Sequence, residues 1–387
     1  MAKLGDICKI QSGGTPSRSE MAYWNDGTIP WVKISDIQNK YLDKTEEHIT
    51  QLGLEKSSAK MFPAGTILYS IFATLGETCI LNIDAATNQA IAGIQVNSDC
   101  VFRDYLYYYL LSQKAKVSFI GRGVAQNNIN MKILKEFEVP LPPISEQRCI
   151  ASILDKVTDL IAKRRTQLEK LDLLVKSRFV EMFGDPVENN FNWKTNCLKR
   201  VTKKIGSGAT PKGGKGSYQN EGISLIRSMN VHDSKFEYKD LAHINSMQAE
   251  QLNNVIVEKY DVLINITGAS VARSCVVPEN VLPARVNQHV SIIRCCDEQL
   301  NHIFVNCLFL NESYKRKLLS IGEAGGATRQ AITKQQLEDL IVILPPIELQ
   351  KQFASFVQQT ETTKSNIQKS LETLETLKKA LMQEYFA

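Results

Sequence analysis

The sequence predicts an α+β chain of two repeated globular domains, each followed by a long helix, with the two helices paired as an antiparallel coiled coil. Three observations lead there. A stretch in the middle of the chain returns at its end, weaker landmarks upstream return in the same order, and the returning stretch carries apolar residues at helical spacing over about 40 positions.

The repeat is clearest where residues 141–184 (LPPISEQRCIASILDK…RFVEMFG) align without a gap on residues 344–387 (LPPIELQKQFASFVQQ…LMQEYFA), an offset of 203 that sets Leu141 on Leu344. Pro142 and Pro143 fall on Pro345 and Pro346, Gln147 on Gln350, Ala151 and Ser152 on Ala354 and Ser355, and Glu181 and Phe183 on Glu384 and Phe386. Upstream, Gly13-Gly14-Thr15-Pro16 resembles Gly208-Ala209-Thr210-Pro211, IPWVKISDI from Ile29 resembles ISLIRSMNV from Ile223, and Asn88-Gln89-Ala90-Ile91 resembles Asn287-Gln288-His289-Val290. These offsets drift between 194 and 199, which short loop insertions absorb at little entropic cost. Similar arms suggest a shared mechanical task. The divergent globular parts suggest different ligands read on one scaffold.

Within each copy the globular part reads as short strands and turns: IPWVKIS, GTILYSIFA and AGIQVN in the first, DVLINITG and VSIIRC in the second. Helical segments follow, DYLYYYLLSQKAKV and HIFVNCLFLNESYKRKL. The Tyr105–Tyr109 run reads as one buried helical face with exposed edges, Trp24 and Trp31 as core, and Asp36 as a turn cap. A double proline opens each arm. The first arm's stripe comprises Ile150, Ile153, Leu154, Val157, Leu160, Ile161, Leu168, Leu171, Leu174, Val175, Phe179 and Met182. The second repeats it with Phe353, Phe356, Val357, Ile367, Leu371, Leu374, Leu377, Leu381 and Tyr385, and its polar middle, TETTKSN, predicts weaker packing there. Neither helix can bury such a stripe alone, and an antiparallel pair would bring a pseudo-two-fold axis.

Composition excludes several classes. The 387 residues exceed one ordinary core. They are 43% hydrophobic and 22% charged, and mean hydropathy is −0.19. No apolar run approaches the roughly 18–20 residues of a membrane span, and MAKLGDICKI lacks a secretory layout. The nine cysteines include no CxxC pair and sit mostly among apolar neighbours, so a reducing cytoplasm is expected. Gly213-Gly214-Lys215-Gly216 fails as a phosphate-binding loop, having Ala209 and Gly216 where Gly and Ser/Thr are required. The five histidines lack metal spacing, and no dinucleotide turn, methyl-donor pocket, catalytic triad or nuclease metal site is evident. The chain shows no engine.

A net charge of +5 permits nucleic acid as a partner. Loops that combine glycine, hydroxyl residues and cations suit phosphate contact, and Arg, Lys, Asn and Gln can read base edges. They supply Ser12, Thr15, Ser17 and Arg18 in the first copy and Lys203, Lys204, Thr210, Lys212 and Lys215 in the second. Arg122, Gln126, Asn127, Arg329 and Gln330 are further candidates, with Lys33 and Arg227 at matched positions after a strand.

The layout resembles the specificity subunit of type I restriction-modification systems. The resemblance rests on GGTPS…WNDGTIPWVKISDI at residues 13–37, the PLPPISEQ arm and the degraded return of both, and it covers nearly the whole chain. The second copy departs from it: WNDGTIPW is missing, and Ser224-Leu225-Ile226 stand where the first copy has Pro30-Trp31-Val32.

The resemblance implies target-recognition domains at residues 1–143 and 185–346, each reading half of a bipartite, asymmetric, interrupted site in double-stranded DNA. The helical arms, residues 144–184 and 347–387, would space them and dock two adenine methyltransferase subunits, with Ile150, Leu154, Val157, Leu171, Phe353, Val357, Leu374 and Leu381 as candidate docking residues. The two-fold axis would set the half-sites about one DNA turn apart. The chain itself would bind no cofactor and no metal. S-adenosylmethionine would belong to the methyltransferases, and ATP and magnesium to cleavage with restriction subunits. Two alternatives stay open: a DNA-silent decoy that binds methyltransferase subunits, and a self-sufficient DNA-modifying enzyme.

Overall fold

The computed structural model describes residues 1–117, 128–211, 213–323 and 330–386, and for Lys215 the backbone alone. Arg122, Gln126, Asn127, Lys212, Arg329 and the Lys215 side chain lie outside this set. The chain divides into two compact units, Met1–Arg165 with Lys369–Ala387, and Thr166–Gln368. The helices used below are α1 (Arg103–Ser112), α2 (Ile144–Phe183), α3 (His302–Leu310), α4 (Glu312–Glu323) and α5 (Ile347–Phe386).

In the first unit, β-branched and aromatic runs form β1 (Cys8–Ser12), β2 (Ile29–Val32), β3 (Tyr41–Leu42), β4 (Glu47–Ile49), β5 (Met61–Phe62), β6 (Ile67–Ser70), β7 (Thr78–Leu81), β8 (Ala85–Thr87) and β9 (Ile91–Val96). They build one sheet in the order β1-β9-β6-β7-β3 and another in the order β4-β2-β8-β5. In the second unit, β10 (Thr202–Ser207), β11 (Ile223–Ile226), β12 (Ala242–Ile244), β13 (Ile256–Val257), β14 (Val262–Asn265), β15 (Ser274–Val276), β16 (Ala284–Val286) and β17 (Val290–Cys295) form sheets β10-β17-β14-β15 and β12-β11-β16-β13. The strand orders match one for one, and β3 is an added edge in the first unit.

The match reaches hydrogen-bond register. Strand β2 runs parallel to β8 with Trp31 opposite Ala86 and Val32 opposite Thr87, and β11 runs parallel to β16 with Leu225 opposite Arg285 and Ile226 opposite Val286. The sequence offsets pair these same residues, so the duplication read from scattered letters is a duplication of fold.

One duplicated side chain ties each arm to the connection that leads from a sheet into the next helix, β9 into α1 in the first unit and β17 into α3 in the second. Gln147 is 1% exposed; its Oε1 accepts the Phe102 N–H at 2.8 Å, and its Nε2 donates to the carbonyls of Cys100 at 2.8 Å and Pro142 at 2.9 Å. Gln350 is 0% exposed and repeats the pattern, accepting from Asn301 N at 2.9 Å and donating to Gln299 O at 3.1 Å and Pro345 O at 2.8 Å. The double proline supplies no N–H, and the glutamine uses the carbonyl left beside it.

The arms are helices of 40 residues each, about 60 Å long. They pack together antiparallel within each unit. In the first, Ile150 and Leu154 of α2 share a core with Leu381 and Phe386 of α5, and farther along α2 Arg165 pairs with Glu375 at 2.6 Å. In the second, Asp172 pairs with Lys364 at 2.7 Å, and later on α2 the rings of Phe179 and Phe183 meet Phe353 at 5.5 and 5.4 Å.

Three local expectations are corrected. Tyr105, Leu106, Tyr107, Tyr108, Tyr109 and Leu110 are all buried, so the tyrosine run has no exposed edge: sheet residues lie against α1, as do α2 and the end of α5. The segment after β17 is two helices; Asn311 leaves the helical region and its Oδ1 accepts the Ser313 N–H, restarting the chain as α4. Leu160, Leu174 and Leu377 in the stripes are exposed. The polar middle of α5 packs as weakly as expected: Glu361, Thr362, Thr363, Ser365 and Asn366 are exposed, and its ties are the Asp172–Lys364 pair and buried Thr360, whose hydroxyl donates back to Phe356 O at 2.9 Å.

Candidate nucleic-acid interface

In the first unit β1 runs into the GGTPSR loop. A Cβ on Gly13 would collide with the Thr87 carbonyl and one on Gly14 with the Ser58 backbone, so only glycine lets the loop lie this close. Gly14 N–H bonds to Thr87 O at 2.9 Å. Two indoles hold the loop from beneath: Trp31 Nε1 donates to Gly14 O at 3.1 Å and Trp24 Nε1 to Ser17 O at 3.0 Å. The rings meet edge to face at 5.0 Å. Trp31 is core, as expected, and both tryptophans also fix the backbone that carries candidate DNA ligands.

The Arg18 guanidinium lies 3.7 Å over Trp24 and pairs with Glu47 at 2.6 Å. Lys33 Nζ stands 2.9 Å from both Glu47 and Glu46, which raise its pKa. Burial alone would raise the Glu47 pKa, but Lys33 and Arg18 hold it below the usual carboxylate range. Asp36 caps the turn after β2 by accepting the Lys33 N–H at 2.8 Å. Thr15 donates its hydroxyl to Gln89. Ser17, Arg18 and Lys33 thus come together, with Thr15 on the same loop; Ser12 is the last residue of β1 and half-buried.

The second unit repeats this frame with other side chains. A Cβ on Gly208 would collide with Val286 O, and Thr210 donates to Gln288 as Thr15 does to Gln89. Asn230 caps the turn after β11 at 3.1 Å, the role of Asp36. Arg227, in the place of Lys33, lies 5.4 Å over Tyr218 and donates to the Asp240 carbonyl. Tyr218 occupies the place of Trp24 at the 194 offset.

Other candidates have different surroundings. Lys203 pairs with Asp297 at 2.7 Å, and the pKa of Lys204 is lowered by burial and then by Arg294. Gln330 donates to Glu323 at 2.8 Å, while its carbonyl takes the Gly268 N–H. The docking residues require a correction. Ile150, Leu154, Val157 and Phe353 are between 0% and 7% exposed, because this chain's own packing buries them. Leu171, Val357, Leu374 and Leu381 are half-buried. The open large apolar side chains on α2 and α5 are Ile144, Leu160, Leu173, Leu174, Val180 and Leu377.

Reading the sequence missed Glu46, Glu47, Gln89, Gln288 and Tyr218. The two glutamines stand at matched positions in the repeated Asn-Gln pair, and Tyr218 was reachable by carrying Trp24 across the offset. Glu46 and Glu47 gave no such sign. Among the described residues, no three His, Cys, Asp or Glu side chains group as a metal site, and no helix is long and apolar enough to cross a membrane.

A family model for the type I restriction modification DNA specificity domain matches residues 1–171 and again 190–376. The chain is 27% identical over 403 residues to the type I restriction enzyme MjaIX specificity subunit of Methanocaldococcus jannaschii, covering 98% of this chain and 90% of that one. It is 30% identical over 163 residues to the EcoR124I/EcoR124II specificity subunit of Escherichia coli, across 41% and 40% of the two chains. Among solved structures, an S subunit of a type I restriction-modification system from M. genitalium aligns with a TM-score of 0.60 at 14% identity, over 100% of this chain and 95% of that one. A chain from a structure describing assembly and conformational transition of the type I restriction-modification system aligns with a TM-score of 0.62 at 18% identity, over 100% and 96%.

Proposed function

The chain belongs to the type I restriction-modification DNA specificity family, and from that premise we propose that it reads a bipartite, asymmetric site in double-stranded DNA, half with each globular unit. It is a specificity subunit, and the catalytic work falls to its partners. The observation that carries the reading is one sheet frame built twice, with matching strand order and register but different side chains on matching loops. A shared frame would present both halves to DNA in the same way, and different loop residues would make the two readings differ.

In this reading residues 1–143 and 185–346 are the target-recognition domains, and residues 144–184 and 347–387 are the arms that join them and dock two methyltransferase subunits. The docking falls to exposed apolar side chains such as Leu173, Leu174 and Val180, since Leu154 and Phe353 are consumed in the chain's own packing. Adenine methylation from S-adenosylmethionine belongs to those subunits, and cleavage driven by ATP with magnesium to restriction subunits that join them. The work takes place in the cytoplasm, where the DNA is.

The test is a genome-wide map of methylated adenine in the host, with and without this gene. Loss of one interrupted, asymmetric motif on deletion is the expected result, and its gap measures the spacing of the half-sites. An unchanged map with the methyltransferase expressed would overturn the reading in favour of a decoy.

A further inference from the structure

We propose that the arginine stacked on an aromatic ring in each globular unit, Arg18 in the first and Arg227 in the second, reads a guanine edge, and that Glu47 is the positioning residue for Arg18. The inference rests on the DNA-reading function above and names the side chains that would perform it.

The first argument is correspondence without shared ancestry of the arginine. Trp24 and Tyr218 occupy matched places, and each carries a guanidinium on its face, at 3.7 and 5.4 Å. The guanidinia come from different elements. Arg18 comes from the loop after β1, whereas Arg227 comes from the end of β11, where the first unit has Lys33. Folding alone does not demand this. A half-exposed ion pair or stacked cation contributes little to stability, yet the same planar cation stands at the same ring by two routes.

The second argument is donor accounting. Arginine carries N–H groups on three nitrogens in a rigid plane. Arg18 Nη1 pairs with Glu47, while Nε and Nη2 make no hydrogen bond or ion pair among the described residues; its side chain is 53% exposed. Arg227 gives Nη2 to the Asp240 carbonyl; its Nε is buried without a partner, and its Nη1 makes no hydrogen bond or ion pair among the described residues. Each arginine is thus anchored by one nitrogen and by aromatic rings, Trp24 and Trp31 for Arg18 and Tyr218 for Arg227, and it keeps donors for a ligand. Guanine is the base whose major-groove edge presents two acceptors, O6 and N7, to such a fork.

The third argument is pre-organisation. The loop carrying Arg18 is pinned by both indole N–H groups and by glycines that admit no Cβ. Glu47 divides its carboxylate between Arg18 at 2.6 Å and Lys33 at 2.9 Å, fixing the rotation of the guanidinium about the ring. A side chain already ordered loses less entropy on binding.

The experiment uses the full chain co-purified with its methyltransferase subunits, as wild type and as Arg18→Lys, Arg227→Lys and Glu47→Gln. Each selects bound duplexes from a random-sequence library, which are then sequenced. Lysine keeps the charge and loses the fork, so it can replace a phosphate contact but not a bidentate base contact. Arg18→Lys is expected to lose preference for one guanine in one half of the motif by about ten- to hundredfold, with all other positions intact. Arg227→Lys is expected to do the same in the other half, and Glu47→Gln to weaken the Arg18 position alone. An unchanged motif in both lysine variants, or a uniform fall in affinity across all sequences, would overturn the assignment. An unchanged Glu47→Gln motif would remove the positioning role. A wild-type complex that selects no motif would sink the DNA-reading function, and this inference with it.

Discussion

Replacing Gln147 by leucine keeps the size of the side chain and removes all of its hydrogen bonding. The native side chain accepts one backbone N–H and donates to two carbonyls, at 2.8 to 2.9 Å, from a position 1% exposed. At about 1 kcal/mol per net bond the loss is about 3 kcal/mol if water reaches the freed groups, and about 5 kcal/mol if the Phe102 N–H stays buried without a partner. For a unit of this size that lowers the unfolding temperature of the first unit by about 6–20 °C. Calorimetry of the full chain, with hydrogen exchange at residues 99–103 and 141–147, separates this from changes elsewhere. Gln350→Leu should give an equal loss confined to the second unit, because its bonds run from 2.8 to 3.1 Å in the same pattern. A shift below about 2 °C in either variant, or protection lost equally in both units, would refute the view that these glutamines fasten each arm to the strand-to-helix connection of its own unit.

Lys40 is held between Asp104, at 2.9 Å, and Asp155, with Tyr108 donating to Asp155 at 2.6 Å; Lys40→Met should cost about 2–3 kcal/mol, since Asp104 keeps Arg103 at 2.9 Å and solvent screens Asp155, which is 37% exposed. Burial would raise the Asp104 pKa, yet Lys40 and Tyr41 hold it low, so this stability is present above the unfolded value near about pH 4 and is lost as pH falls; melts should show the gap between wild type and variant closing in acid. For the arms, Phe353→Ala should destabilise the isolated chain by about 3–5 kcal/mol in denaturant titration, since that ring is 0% exposed. Leu173→Ala, at a side chain 62% exposed, should change stability by less than about 0.5 kcal/mol while weakening co-purification of the methyltransferase; the opposite pattern would reverse the assignment of core and docking face.

The helical arms were legible because their signal is local. A stripe at helical spacing, opened by two prolines, can be read one residue after another, and both helices have the expected length. Which members of that stripe face a neighbour was not legible. Leu160 and Leu174 carry the same letter as Leu154, yet they are 44% and 46% exposed and it is 0%. The difference depends on what packs against each turn of helix, and residues more than two hundred positions away decide it. The tyrosines of α1 show the same limit: their burial on every side comes from sheet, arm and the returning end of α5 together.

The candidate interface divides in the same way. Repetition in the letters was enough to place the loops, since copies of one frame keep their glycines wherever a Cβ would strike backbone. It also placed Lys33 opposite Arg227 and showed that the second copy lacks the tryptophan-bearing segment. It could not show that Arg18 lies on Trp24, that Glu47 is shared between two cations, or that Tyr218 takes up the vacated role beneath an arginine from another element. Those contacts join side chains whose spacing in sequence follows no period, six and nine positions for the stacked arginines and more for Glu47. Periodicity and duplication are properties of the chain as written, whereas the partner of a charge is a property of the space into which that chain folds.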